Sequence, residues 1–236
     1  MANSSIYNTL FGGGKSGGGK KDISDLINLI VSKREFFILI FANLIAQLGI
    51  TYYIMQKTPI TDKNAINFWL LFGIQIIIIF VLVLVPMPSW MKFLVFSAFS
   101  YTFGLSLARL KSKYDASMIQ AAIMGTIGIF GAMMAFGAFL IMTGIKLGYQ
   151  FGLALLYALL LLIIVRIVFI FIPSSSGTKR YLTIFSLLVF SVYIIYDTNS
   201  ILQRNYFGDF ITASLDYYLD IINIFVNLLS YNNSTF

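Results

Sequence analysis

Three aspartates lie in the last third of this 236-residue chain, inside stretches that are otherwise strongly apolar. Asp197 lies in Val-Tyr-Ile-Ile-Tyr-Asp-Thr-Asn, and Asp216 and Asp220 lie in Leu-Asp-Tyr-Tyr-Leu-Asp-Ile-Ile-Asn. At helical spacing, Asp216 and Asp220 share one face with Asn223 and Asn227. A carboxylate at the centre of a membrane helix costs about 2.5–3.5 kcal/mol on insertion scales, so it is expected to face a partner or a water-filled cavity. These carboxylates are therefore the candidate site.

The segment that contains Asp197 carries a second polar stripe at the same spacing. This stripe consists of Tyr193, Asp197, Ser200 and Arg204. The connection between the two segments is short, which makes them antiparallel neighbours and allows Asp197 and Asp220 to meet at similar depth. We therefore predict that these two aspartates form a pair.

The chemistry of such a pair follows from its charge. Two carboxylates held close together in a low dielectric cannot both be ionised at low cost, so they are expected to share a proton. Loss of that proton leaves a doubly anionic site, and Ca²⁺ binds carboxylate, amide and carbonyl oxygens. We predict that Asp197 and Asp220 sense pH and bind calcium, with Asp216, Asn223 and Tyr193 as accessory residues of a calcium path.

The composition indicates a polytopic membrane protein. Hydrophobic residues make up 59% of the chain and charged residues 11%, with a mean hydropathy of +0.88. The chain has neither His nor Cys, so acid–base chemistry would depend on Asp or Tyr. The net charge of +7 suits a membrane surface, and no nucleic-acid-reading motif is present. We expect no nucleic acid partner and no cofactor other than calcium as a bound or transported ion.

The hydrophobic runs predict an all-α membrane protein, a bundle of seven transmembrane helices. The predicted spans are residues 36–56, 65–86, 90–110, 116–142, 149–172, 180–203 and 211–231. A flexible polar tail is predicted over residues 1–35, in which residues 22–30 could form a short amphipathic helix on the bilayer. Residues 36–231 form the membrane domain, and residues 232–236 form a short C-terminal tail. Basic residues favour a cytoplasmic N-terminus by eight to seven.

Two further features concern the contacts between the spans. Gly125, Gly128, Gly131 and Gly137 in the fourth span predict a face on which helices approach closely. Arg166 lies in the fifth span. It either extends toward the helix end near Pro173 or serves as a counter-ion for an aspartate, and the sequence leaves both interpretations open.

The two acidic segments resemble those of the Bax inhibitor family, also called the Lifeguard or transmembrane Bax inhibitor motif family. The resemblance rests on Tyr-Asp-Thr-Asn at 196–199 and on Asp-Tyr-Tyr-Leu-Asp-Ile-Ile-Asn-Ile-Phe at 216–225. It implies a calcium-permeable leak through seven helices with the last helix central, and a proton shared by Asp197 and Asp220 when the path is closed. Two departures are Asn199, where Gln is usual, and the absence of an arginine at 86–89, after the second helix.

The resemblance also implies a location and partners. Eukaryotic members lie in endoplasmic reticulum or Golgi membranes and suppress cell death, whereas bacterial members lie in the plasma membrane. We expect a monomer in the lipid bilayer, with calcium ions and cell-death membrane proteins as partners.

Three classes of function remain open from the sequence. The first is a pH-sensitive calcium leak channel, which is not an enzyme. The second is a membrane scaffold that regulates apoptosis without transport. The third is an intramembrane aspartyl protease, because such enzymes also place aspartates in consecutive helices. The protease motif Gly-x-Gly-Asp is replaced here by Tyr217-Tyr-Leu-Asp220, and its Pro-Ala-Leu element is absent.

Overall fold

A computed structural model describes residues 23–59, 68–172, 175–203 and 208–233. Within these residues the protein is entirely helical, with eight α-helices and no strand. The helices are α1 (Ile23–Ser32), α2 (Arg34–Lys57), α3 (Phe68–Leu84), α4 (Ser89–Ala108), α5 (Ala116–Met142), α6 (Tyr149–Phe171), α7 (Ser176–Gln203) and α8 (Phe210–Asn233). A 3₁₀ helix, Arg109–Ser112, extends α4.

Helices α2 to α8 lie where the seven hydrophobic runs predict them, and the bounds of α5 agree with the prediction at both ends. The largest difference is at α7, which begins at Ser176, four residues before the predicted start. The cause is a cap: Oγ of Ser175 accepts a 3.2 Å hydrogen bond from the backbone N–H of Thr178. This bond satisfies a donor of the first turn, so the helix begins before the apolar run does.

Five helices of the described chain are long and apolar enough to cross a membrane, namely α2, α4 with its 3₁₀ extension, α5, α6 and α7. The protein is therefore an integral, multi-pass membrane protein. Helix α3 is apolar but shorter, and α8 carries the acidic stripe. The count of eight helices, five of which meet this criterion, differs from the predicted seven spans, and seven crossings remain a prediction.

The short helix predicted at residues 22–30 is present, so the end of the tail predicted over residues 1–35 is helical. Residues Ile23–Ser32 form α1, which packs against α5 and α2, and Arg34 already belongs to α2. The apolar residues of this segment explain the helix, because they give it a face that can contact the bundle. Residues 1–22 lie outside the described residues. At the other end, α8 extends two residues beyond the predicted 231.

Helix α8, which carries the acidic stripe, contacts four other helices. Helix α8 packs against α2, α4, α5 and α7, whereas α6 packs mainly against α7 and α3 mainly against α4. The side chains of Tyr217, Tyr218, Ile224 and Leu229 on α8 are fully buried. Of the polar stripe, Asp220 and Asn227 are buried in this packing, and Asp216 and Asn223 are partly exposed.

The small-residue face predicted on α5 makes close contacts at only part of its length. A Cβ on Gly137 would lie 2.7 Å from the carbonyl oxygen of Ile195, and one on Gly125 would lie 3.0 Å from Leu228. A Cβ on Gly128 or Gly131 would meet nothing within 4 Å. The interpretation as a packing face therefore holds at the two outer glycines and is wrong at the inner two.

Candidate functional site

Helices α7 and α8 bring Asp197 and Asp220 together. The two carboxyl groups lie within hydrogen-bonding reach of each other, and the residues are only 6% and 4% exposed. Contacts between early residues of α7 and late residues of α8, such as Arg180 to Tyr231, show that the helices run antiparallel. Since two carboxylates have only acceptor atoms, a hydrogen bond between them requires that one carries a proton.

The surroundings of the pair offer little else to stabilise it. Oδ2 of Asp220 is buried and has no N–H or hydroxyl donor among the described residues. A buried carboxylate oxygen without a donor is costly, so it needs a compensating positive charge or proton. A proton held between the two carboxyl groups would supply this compensation, and so would a bound cation.

The predicted accessory residues lie around this pair. Asp216 interacts electrostatically with both paired aspartates, and the half-buried Tyr193 interacts electrostatically with all three acids. Nδ2 of Asn223 donates a 2.7 Å bond to the carbonyl of Leu219, which leaves its Oδ1 available. In the described part of the chain, no three His, Cys, Asp or Glu side chains converge on one metal position. A calcium ion at the pair would therefore need amide, carbonyl or water oxygens as well.

A second bond between α7 and α8 lies beside the pair. The hydroxyl groups of Thr198 and Tyr217 are 2.7 Å apart, and Oγ1 of Thr198 is also 2.8 Å from the carbonyl of Ile194. Both residues are at least 98% buried. This contact was not predicted from the sequence, where the signal for it is a tyrosine hydroxyl inside an apolar helix.

Arg166 follows neither of the two courses considered from the sequence. Its Nη2 donates a 2.6 Å hydrogen bond to Oδ1 of Asn227, seven residues beyond Asp220 on α8. Much of the side chain is exposed, but the hydrogen bond from its guanidinium group to the buried Asn227 is partly buried. Arg166 thus contacts the polar stripe of α8 through an amide rather than through a carboxylate.

Asn199, two residues after Asp197, fixes the connection between α5 and α6. Its Oδ1 accepts a 2.8 Å bond from the N–H of Leu147, and its Nδ2 donates to the carbonyl of Ile145 at 3.1 Å. The residue is fully buried. Asn199 therefore joins the loop after α5 to the helix that carries Asp197.

A buried polar network lies on another face of α8. Oε1 of Gln47 on α2 accepts a bond from Ser100 on α4, and Nδ2 of Asn43 donates to Ser214 on α8. The hydroxyl groups of Thr51 and Tyr218 are 2.6 Å apart. Asn43 and Gln47 therefore bond α2 to α8 and to α4.

Two lysines hold the helix ends at the side of the bundle where α8 begins. Nζ of Lys92 on α4 forms an ion pair with Asp209 and donates to Oγ1 of Thr212 at 2.6 Å. Partial burial alone would raise the pKa of the Asp209 carboxyl, but the hydrogen bonds from Lys92 and Thr212 outweigh it and hold this pKa below its usual value. Nζ of Lys33 donates a 2.8 Å bond to the carbonyl of Ile201 near the end of α7. Burial lowers the pKa of the Lys33 ammonium group.

Comparisons with known proteins agree with this arrangement. The family model described as "Inhibitor of apoptosis-promoting Bax1" matches residues 30–234. Bax inhibitor 1 of Schizosaccharomyces pombe is 32% identical over 159 residues, which are 67% of this chain and 58% of that relative. The Golgi anti-apoptotic protein of Vaccinia virus strain Lister is 30% identical over 178 residues, 75% of this chain and 73% of the viral protein. Protein LIFEGUARD 1 of Arabidopsis thaliana is 24% identical over 229 residues, 92% of this chain and 94% of the plant protein.

The family model covers α2 to α8, including both acidic segments, and the last three residues of α1. The chain spans little more than half the length of the yeast relative but most of the viral and plant relatives. The chain therefore belongs to the family of inhibitors of apoptosis-promoting Bax1.

Proposed function

We propose that this protein is a pH-sensitive calcium leak channel of the Bax inhibitor type, in which Asp197 and Asp220 form a proton-held latch between α7 and α8. The observation that carries the proposal is that these two buried carboxyl groups lie within hydrogen-bonding reach of each other. A hydrogen bond between them exists only while one proton is shared, so its strength depends on pH through its own chemistry.

The latch opens when the shared proton leaves. Two ionised carboxylates at hydrogen-bonding distance repel each other strongly in a low dielectric, so α7 and α8 separate at this level or take up a cation between them. Calcium, with two positive charges and a preference for oxygen ligands, matches the doubly anionic pair. Asp216, Asn223 and Tyr193 line the approach. Protons and calcium therefore compete for the same oxygens.

The proposed architecture has seven membrane crossings with α8 near the centre. Its support is that α8 packs against four other helices and buries Asp220 and Asn227 of its polar stripe there. A helix shielded in this way does not need the apolar surface that a lipid-facing span requires. The same helix therefore can cross the membrane and carry the carboxylates of the path.

We further propose that the protein suppresses cell death. The relatives named Bax inhibitor 1 and Golgi anti-apoptotic protein support this role. In a eukaryotic cell the expected location is the endoplasmic reticulum or Golgi membrane, and in a bacterium it is the plasma membrane. Cell-death membrane proteins are the proposed partners of a monomeric chain.

Two alternatives predict different behaviour of the same residues. The names of the relatives also fit a scaffold that regulates apoptosis without transport, in which the acids are merely buried. An intramembrane protease is disfavoured by Tyr217 and Tyr218, which are fully buried just before Asp220 and pack against aromatic rings where a substrate backbone would have to lie. We therefore propose that the protein is not an enzyme.

The decisive experiment is calcium flux across liposomes that contain the purified full-length protein, measured over a pH series. We expect flux to rise with pH in the wild type. The variants D197N, D220N and the double variant should show a flattened pH response because the titrating pair is gone. The control D216N removes the same charge from the same face and should alter calcium affinity more than pH response.

Each competing function has its own outcome in this series. A double variant that keeps the full pH response would exclude the latch. Absence of calcium flux in every variant, together with retained suppression of cell death, would favour the scaffold. Cleavage of a membrane-protein substrate that stops in the double variant would identify the protease.

A further inference from the structure

Ser186 on α7 is a buried hydroxyl without a partner. The residue is fully buried, and its Oγ has no hydrogen-bond partner among the described residues. Thr183 and Thr198 on the same helix each donate to the carbonyl four residues earlier, at 3.0 and 2.8 Å. Ser186 does not use this common arrangement. A buried polar group left without a partner in a protein is compensated by a ligand, usually water.

The position of Ser186 connects it with the aspartate pair. It precedes Asp197 by eleven residues, so it lies on the same face of α7, about 16 Å along the helix axis. Between them on this face are Tyr193 and the apolar Phe190, whose rings lie 6.3 Å apart. A line of polar groups thus leads away from the pair along α7, and one phenyl ring interrupts it.

The facing side of α8 carries a matching line. Asn223 and Asn227 follow Asp220 at helical spacing, and Asn227 is only 2% exposed. Nδ2 of Asn227 donates to the carbonyl of Asn223 at 2.7 Å, while its Oδ1 accepts the 2.6 Å bond from Arg166 of α6. Arg166 therefore holds a positive charge over this line, about 10 Å beyond Asp220 along the helix axis.

We propose that a hydrated route leaves the Asp197–Asp220 pair between α6, α7 and α8, passes Ser186 toward the end of the bundle where α8 ends, and is closed to cations by Arg166 bound to Asn227. The proposal rests on the calcium path proposed above and adds the exit and its barrier. A charged guanidinium inside a spanning helix is costly, and one neutral amide compensates only part of that cost. Because Arg166 lies beside the line of polar groups, its positive charge can repel cations that approach along this line.

The barrier is electrostatic. A unit positive charge repels a divalent cation at about 10 Å by roughly 1 kcal/mol in water and several kcal/mol in a partly desolvated channel. Removal of the charge should therefore raise calcium flux on the order of tenfold. Replacement of Arg166 by another positively charged residue should leave the calcium flux unchanged.

The hydrated route is tested first, by a measurement that needs no flux. The chain has no cysteine, so single cysteines can be introduced without background. S186C should react with a small cationic methanethiosulfonate reagent in proteoliposomes. The matched control is S100C. Ser100 on α4 is equally buried, but its hydroxyl is bonded to Gln47 on α2, away from the proposed route. We expect S186C to be modified at least tenfold faster than S100C, and equal rates would overturn the route.

The barrier is tested next, by calcium flux. R166Q keeps a donor for Asn227 but removes the charge, and R166K keeps the charge. R180Q is the control, because Arg180 also contacts α8, through the hydroxyl of Tyr231, at the same end of the bundle. We expect R166Q to raise flux about tenfold, while R166K and R180Q stay near the wild type. Equal flux in R166Q and R180Q would overturn the barrier.

The two tests separate this inference from the proposed function. A wild type without calcium flux but with rapid modification of S186C would reject the channel and keep a hydrated cavity. Flux with a normal pH response and an unreactive S186C would keep the channel and reject this exit.

Discussion

The hydroxyl groups of Tyr217 and Thr198 lie 2.7 Å apart and join α8 to α7 directly beside the aspartate pair. Thr198 follows Asp197 in the chain, and Tyr217 precedes Asp220 by one helical turn. This bond does not depend on the shared proton. It therefore limits how far the two helices can separate when the carboxyl pair is broken.

The first prediction compares two buried tyrosines. Y217F removes the bond to Thr198, and Y218F removes the bond of similar length to Thr51 on α2. Each should lower the free energy of unfolding by about 1 kcal/mol, because each removes one buried interhelical hydrogen bond while the threonine hydroxyl keeps a backbone carbonyl as acceptor. Only Y217F should also shift the pH midpoint of calcium flux, because only this bond spans α7 and α8. A shift of equal size in Y218F would mean that the midpoint reports general loosening of the bundle.

The acidic pair could be predicted from the sequence because its signal is local and strong. Carboxylates in apolar helices need partners, and the short connection between the helices limits where a partner can be. The partner of Arg166 could not be predicted in this way. Its choice between Asn227 and a carboxylate depends on how α6 is rotated against α8, and a uniformly apolar helix such as α6 contains no sequence pattern that fixes its rotation.

The second prediction concerns the close approach of α5 to α7. G137A should destabilise the protein by about 1–3 kcal/mol, because the new Cβ would lie 2.7 Å from the carbonyl oxygen of Ile195 and 2.9 Å from Cβ of Thr198. G131A is the matched control on the same helix, where a Cβ meets nothing within 4 Å. It should be neutral or stabilising by up to about 1 kcal/mol. Thermal unfolding in detergent measures both, and equal losses would contradict the described packing of α5.

The same glycines show where sequence patterns stop being informative. A row of small residues permits close approach, but it does not say which neighbour uses which part of the row. Gly137 meets the backbone of α7, whereas Gly131 has no neighbour within reach of a Cβ. The ends of the helices are equally hard to predict from sequence periodicity. The cap at Ser175 and the bond from Lys33 to Ile201 each depend on a three-dimensional position that no periodicity encodes.

The third prediction concerns the ion pair of Lys92 and Asp209 at the start of α8. The pKa of Asp209 is lower in the folded protein than its ordinary value of 3.8. The pair therefore contributes stability that is fully present above about pH 4 and is lost as the pH falls through the lowered folded-state pKa. D209N should reduce the free energy of unfolding by about 0.5–1 kcal/mol at pH 7, since Asn still caps the helix and the pair is partly exposed.

The deficit of D209N should disappear in acid and shrink in high salt. The control is D115N, because Asp115 is exposed before α5 and its side chain caps no N–H there. Equilibrium unfolding at pH 7 and at pH 3 measures both variants. A deficit of D209N that persists unchanged at pH 3 would mean that the carboxylate charge is not what stabilises this end of α8.

The last prediction is the number of membrane crossings. Five helices meet the length and apolarity of a span, while α3 is short and α8 carries acids. Helix α8 nevertheless has 24 residues, enough to cross 30 Å at 1.5 Å per residue, and Asp220 and Asn227 of its polar stripe are buried against neighbouring helices. We therefore expect an odd number of crossings and termini on opposite sides.

Single cysteines at Ser5 and Ser234, both outside the described residues, can be labelled with an impermeant reagent in sealed vesicles. Labelling of only one of them from outside, and of the other after permeabilisation, is the expected result. Labelling of both from one side would make α8 re-entrant, and the acids would then open to only one face of the membrane.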